Sequence, residues 1–110
     1  MAPLPMTTGL EIPGLTIRET IGVVYGLVVR SMGFTGSMTA GLRGLRRGEV
    51  PEYTQLLEDS RRHAIDRMVE NAQLMGADAV IAVRFDSSEI GQQFTEIVAY
   101  GTAVRLQPAG

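Results

Sequence analysis

The chain has 110 residues, 45% of them hydrophobic and 5% aromatic with no Trp, which fits one domain with a thin aliphatic core and excludes both a disordered chain and a base-stacking nucleic-acid platform. A net charge of -2 argues against nonspecific DNA binding, so no nucleic-acid partner is expected; the lack of Cys excludes disulfides, thiolate nucleophiles and Cys-ligated metal. Every basic residue is Arg, which also excludes lysine Schiff-base chemistry and a Walker-type phosphate loop.

The N-terminal stretch from Met1 to Thr8 lacks a basic n-region and a long apolar run, so it does not read as a signal peptide. The most apolar run, Ile21 to Val29, is far shorter than the ~20 residues that span a bilayer. The expectation is a cytoplasmic protein with no membrane partner. Residues 1–5 carry Pro3 and Pro5 and are expected to be disordered. Met6-Thr7-Thr8 suits a short strand, and Pro13-Gly14 is a turn signal.

A first long strand is predicted from Leu15 to Arg30, where the chain alternates with period two. The odd positions, Leu15, Ile17, Glu19, Ile21, Val23 and Tyr25, are predicted to face the core. After Gly26 the alternation fades into Leu27-Val28-Val29, a run that suits a strand covered on both faces. Gly22 and Gly26 suggest a bulge or a close backbone approach. Residues 31–50 are rich in Gly and Arg and read as a functional loop, with a short helical turn near Ser37 to Leu42.

The helix is predicted to start at Pro51, where a missing N–H costs nothing, and to stop at Gly76. Glu49 and Glu52 complement the positive end of its dipole. Tyr53, Leu56, Leu57, Ser60, Ala64, Met68, Ala72 and Met75 share one face and should pack on the sheet. Glu58–Arg62 and Arg62–Asp66 are i,i+4 pairs on the solvent side. Ile65 and Val69 form a second, smaller apolar strip. Two more strands follow, Ala79 to Phe85 and Phe94 to Leu106, joined by a loop over Asp86 to Gln93. In the last strand Phe94, Val98, Tyr100, Val104 and Leu106 lie on one side. Ile97, Ala99, Gly101 and Ala103 lie on the other. A sheet that is apolar on both faces, in a protein with one helix, needs a second cover, which another copy of the chain would supply.

Four stretches, taken in order, resemble the YbjQ-like proteins, a small bacterial and archaeal family labelled as heavy-metal-binding. They are Ile17-Arg18-Glu19-Thr20-Ile21-Gly22-Val23-Val24 with Gly26, then Gly44-Leu45-Arg46, Met75-Gly76-Ala77-Asp78-Ala79-Val80, and Tyr100-Gly101-Thr102-Ala103-Val104. The likeness covers nearly the whole chain, from about residue 6 to residue 106. It implies an α+β, β-α-β-β subunit of dodecin-like kind that assembles into a pentameric ring. The chain departs from the family where Leu45 stands in place of the second Gly of a Gly-Gly-Arg.

The site candidates are few. His63, the only histidine, and Asp59 lie one turn apart, which is metal-like spacing; the plain alternative is a solvated pair. A metal ion as cofactor is otherwise suggested by the family label alone. Glu19 and Glu96 fall on the apolar sides of their strands. They are candidates for a cation or amine site in a ring, or for a carboxylate or metal-assisted enzyme; the alternative is pairing with Arg18, Arg67 or Arg84. Arg43, Arg46 and Arg47 sit among glycines before the helix, suited to an anion or to a solvated loop. The Met residues read as core filler. The function expected is that of a non-catalytic homo-oligomer that binds a small ligand or cation, with Val28, Ile65, Val69 and Ile97 losing surface at the subunit interface.

Overall fold

A computed structural model describes residues 4–31, 51–91 and 93–110. Its elements follow the order read from the pattern: β1 (Leu15–Ser31), α1 (Pro51–Leu74), β2 (Ala79–Ile90) and β3 (Phe94–Pro108). The class is α+β in β-α-β-β order, as the resemblance implies. β3 is central and pairs antiparallel with both neighbours, giving the order β1-β3-β2. Arg43, Arg46, Arg47, Glu49, the helical turn over Ser37 to Leu42 and the Gly44-Leu45-Arg46 stretch lie outside the described residues.

α1 packs with the face its periodicity marked. Ala64, Met68 and Ala72 are fully buried, with Leu57 and Met75 partly buried against them. Ser60 is also fully buried, and its hydroxyl donates to the Leu56 carbonyl at 2.7 Å, so no polar group is left unpaired there. The helix ends in a Schellman motif. Gly76 takes φ 80°, its N–H donates to Gln73 O, and the Ala77 N–H donates to Ala72 O, each at 3.0 Å.

The side of β1 that meets the helix differs from the expectation. Val24 and Val28, at 2% and 4% exposure, and Gly26 face the core, whereas Val23 and Tyr25 are 73% and 58% exposed. The reason is steric. A Cβ on Gly26 would stand 2.2 Å from Ala64 O and 2.3 Å from Met68 N, so the helix backbone lies directly on this residue. Only the small side of the strand admits that approach, and hydropathy alone does not separate the two sides. β3 obeys the same rule: Ile97, Ala99, Gly101 and Ala103 are buried on the helix side. Two register shifts, between Ile17 and Glu19 and between Thr20 and Gly22, bulge β1 upstream of the contact; Gly22 there has φ 149°.

The second hairpin strand is longer than predicted. Asp86 to Ile90 pair with β3 and are strand, leaving a short turn that begins at Gly91, φ 67°. These residues are exposed and, apart from Ile90, polar, so they show no apolar alternation; main-chain pairing extends the ribbon. Disorder over 1–5 is also corrected for Pro5, whose carbonyl accepts from Val80 N at 3.0 Å. The segment runs beside β2 through a parallel bridge, Met6 with Val80, and Thr7 O and Gly9 O accept from Val83 N and Ala82 N. Ala82 reaches φ 54° in the β2 bulge that turns these groups outward. The chain then reverses at Pro13-Gly14 through a type II turn, with Gly14 at φ 81° and Leu15 N donating to Ile12 O.

Substituting Gly26→Ala should therefore cost about 3 kcal/mol, read as a lowered urea midpoint. Leu74→Ala, at a side chain 81% exposed, should shift stability by less than about 0.5 kcal/mol. Equal midpoints for the two variants would contradict the close-contact account.

Candidate functional site

With the helix seated on the small side of the sheet, the large side is left partly open. Its closed end is a small cluster of Ala79, Ile81 and Val104, covered by Ile12 of the N-terminal segment and by Leu106. Beyond it, Tyr25 stands opposite Tyr100, Leu27 opposite Val98, and Ser31 opposite Phe94. Val23, Tyr25, Leu27, Val29, Phe94 and Tyr100 are all between 38% and 73% exposed. These side chains form one apolar stripe along β1 and β3.

The interface residues expected from sequence fare differently. Val28 and Ile97, at 4% and 1% exposure, are core residues and have no surface left to lose. The reason is again the inverted facing of the sheet. Ile65 packs against the core of its own subunit, and Val69 is half-buried. Sequence reading missed Val23, Tyr25, Val29 and Tyr100. The signal that identifies them is the small residues Gly26, Ala99 and Gly101, which mark the opposite face as the seat of the helix.

The two carboxylates are far apart. Glu19 lies opposite Arg105, and Glu96 lies opposite Val29, ten residues further along β1. At ~3.3 Å per residue that is roughly 30 Å, so no acid–base pair forms within one subunit. Glu19 pairs with Arg105 at 3.4 Å rather than with Arg18, Arg67 or Arg84, and Arg105 Nε also donates to Gly76 O at 3.2 Å. This set ties the sheet to the end of the helix and is a structural clasp. Both groups of the ion pair are 40% or more exposed, so it adds little to stability.

Asp59 and His63 are each engaged by other side chains. Asp59 accepts from Arg62 at 2.9 Å and from Gln55 at 3.2 Å. Arg62 also pairs with Glu58 at 3.6 Å, so its carboxylate partners are Glu58 and Asp59 rather than the expected Asp66. The guanidinium of Arg30 donates to His63 Nδ1. A metal at that nitrogen would have to displace a cation and then sit beside it. Among the described residues no group of three or more His, Asp or Glu side chains is placed to hold a metal ion. No helix among them is long and apolar enough to cross a membrane.

Comparison with known proteins matches this picture of a fold without an assigned chemistry. Residues 4–107 match the YbjQ family, described as "Putative heavy-metal-binding". A UPF0145 protein of Bradyrhizobium sp. (strain ORS 278) is 50% identical over 104 residues, covering 94% of each chain. Another, from Methanoregula boonei, is 56% identical over 97 residues, covering 88% of this chain and 81% of its own. The crystal structure of a protein of unknown function from Pediococcus pentosaceus, of the DUF74 family, superposes with a TM-score of 0.59 at 17% identity. It covers 94% of this chain and 98% of that one, a likeness of fold. None of these names states a reaction.

The donor set leads to a clear expectation for metal. In a zinc titration followed by calorimetry, His63→Ala should bind no more weakly than the unaltered chain. A tenfold loss of affinity in that variant would restore the Asp59–His63 site.

Proposed function

The chain belongs to the YbjQ family, and we propose that it works as a non-catalytic homo-oligomer, a scaffold whose subunits meet through the open face of the sheet. The observation that carries this reading is the apolar stripe of Val23, Tyr25, Leu27, Val29, Phe94 and Tyr100. Large exposed apolar side chains gathered on one face are uncommon on a monomer's surface. Fully burying one such side chain contributes ~1.5–3 kcal/mol. Six partly exposed ones offer on the order of 5–10 kcal/mol, comparable to the ~4–15 kcal/mol that association costs. The Tyr25–Tyr100 pair supplies aromatic area of the kind that dominates interfaces.

The resemblance points to five subunits, and the number constrains the contact. A two-fold, face-to-face packing of identical stripes gives dimers and even-numbered assemblies. A pentamer closes only if the stripe of one subunit meets a different surface of the next. The roughly 30 Å between Glu19 and Glu96 argues against a carboxylate-pair enzyme built within one subunit. A cytoplasmic location fits a chain without Cys.

Light scattering should give an oligomer, about 60 kDa if five copies of the 11.9 kDa chain assemble. The double change Val23→Glu with Tyr25→Glu should dissociate it at micromolar concentration while leaving helical circular dichroism in place. An unaltered chain that runs as a monomer would refute assembly. A variant that keeps the full mass would place the contact elsewhere.

A further inference from the structure

On the helix side of the sheet, away from the open stripe, α1 and the outer end of the β2–β3 hairpin enclose a groove of about 420 Å³. The helix contributes Leu57 and Arg61, one turn apart. The hairpin contributes Ser87, Ser88 and Thr95, with Ile97 beneath and Glu89 also in the lining. The register explains the gathering. Ser87 lies opposite Ile97 and Glu89 opposite Thr95, and the first of these pairs falls on the helix side through the buried Ile97. The volume lies within the ~300–1,000 Å³ of small-molecule sites.

Arg61 gives the groove its chemistry. Arg62, Arg67, Arg84 and Arg105 each reach an oxygen partner. Among the described residues Arg61 makes no ion pair and no hydrogen bond; its guanidinium lies 4.9 Å from the centre of the Phe85 ring. That stacking holds the planar fork in place and leaves its N–H donors for a ligand. Arg61 therefore sits at the Phe85 end of the groove. Glu89 lies four residues further along β2, roughly 13 Å away at ~3.3 Å per residue. The cation thus stands at one end and the carboxylate toward the other, with hydroxyl donors between them.

We propose that this groove is a binding site for a small organic oxyanion, a phosphate or carboxylate whose charged end docks on Arg61. The Ser87 and Thr95 hydroxyls donate to the same head group. The body of the ligand lies along Leu57. Its far end is neutral or cationic, because Glu89 disfavours a second negative charge there. The site lies within one subunit and does not rest on the oligomer proposed above.

Phenyl phosphate and benzoate serve as probes for the two head groups, each titrated into the ¹⁵N-labelled chain and followed by amide shifts. At least one should give saturable shifts at Ser87, Ser88 and Thr95, and the stronger of the two names the head group. Arg61→Gln should weaken that binding by roughly tenfold or more, since a charged, fork-shaped donor is lost. Thr95→Val should weaken it by a smaller factor. Arg18→Gln, at an exposed position on the far end of β1, should leave it unchanged. The proposal fails if neither probe shifts these amides at up to about 10 mM, an affinity floor below that of ordinary metabolite sites. It fails equally if Arg61→Gln binds as well as the unaltered chain.

Discussion

At Gly26 the backbone of the helix rests on the backbone of β1 with no side chain between them. Ala64 O and Met68 N occupy the space where a Cβ would be. The approach sets how closely the two layers pack, and so which residues fill the gap. Beside the contact, Ala64, Ala72, Ala99 and Ala103 are small enough to follow it, and Met68 fills the remaining volume. The same approach brings helix side chains within reach of the strand's outer edge. Arg67 donates to Leu27 O at 2.7 Å and Asn71 to Tyr25 O at 2.9 Å. Two carbonyls that an edge strand would otherwise present to solvent are thereby occupied.

The other edge is managed by a different device. Along β2 the N-terminal segment exchanges four main-chain hydrogen bonds with Val80, Ala82 and Val83, and Arg84 clamps Thr8 O at 2.8 Å. Both edges are thus partly blunted at the inner part of the sheet, which disfavours uncontrolled strand addition. What stays open is a face rather than an edge. The assembly proposed above would therefore run through side chains instead of an added strand, with its specificity resting on Tyr25, Tyr100 and their neighbours.

The polar chemistry of the chain is dominated by arginine. Among the described residues most of these guanidiniums are committed to architecture: Arg67 and Arg84 to carbonyls, Arg105 to the helix end, Arg62 to surface carboxylates, and Arg30 to His63. Such a set favours oxyanions over metal ions as ligands, because soft metals select thiolate or clustered imidazole. The family description as heavy-metal-binding finds no matching donor cluster among the described residues of this member.

Element order, the helix boundaries near Pro51 and Gly76, its buried face and the length of β1 were all legible in the sequence. Each rests on a local rule: a period, a cap or a backbone preference. That both faces of the sheet carry apolar residues was legible too, because it depends only on counting apolar positions. Which face the helix would take was not. Val23 and Val24 are the same residue type on opposite sides, and only the backbone contact at Gly26 decides between them. The distance between Glu19 and Glu96 and the grouping of Arg61 with Ser87 and Thr95 were equally hidden. Strand register fixes both, and register depends on bulges at Ile17–Glu19, Thr20–Gly22 and Ile81–Arg84 whose positions no local pattern specifies. Sequence determined the pieces through interactions a few residues long. Tertiary packing decided their facing, because close approach of two backbones is a property of residues far apart in the chain.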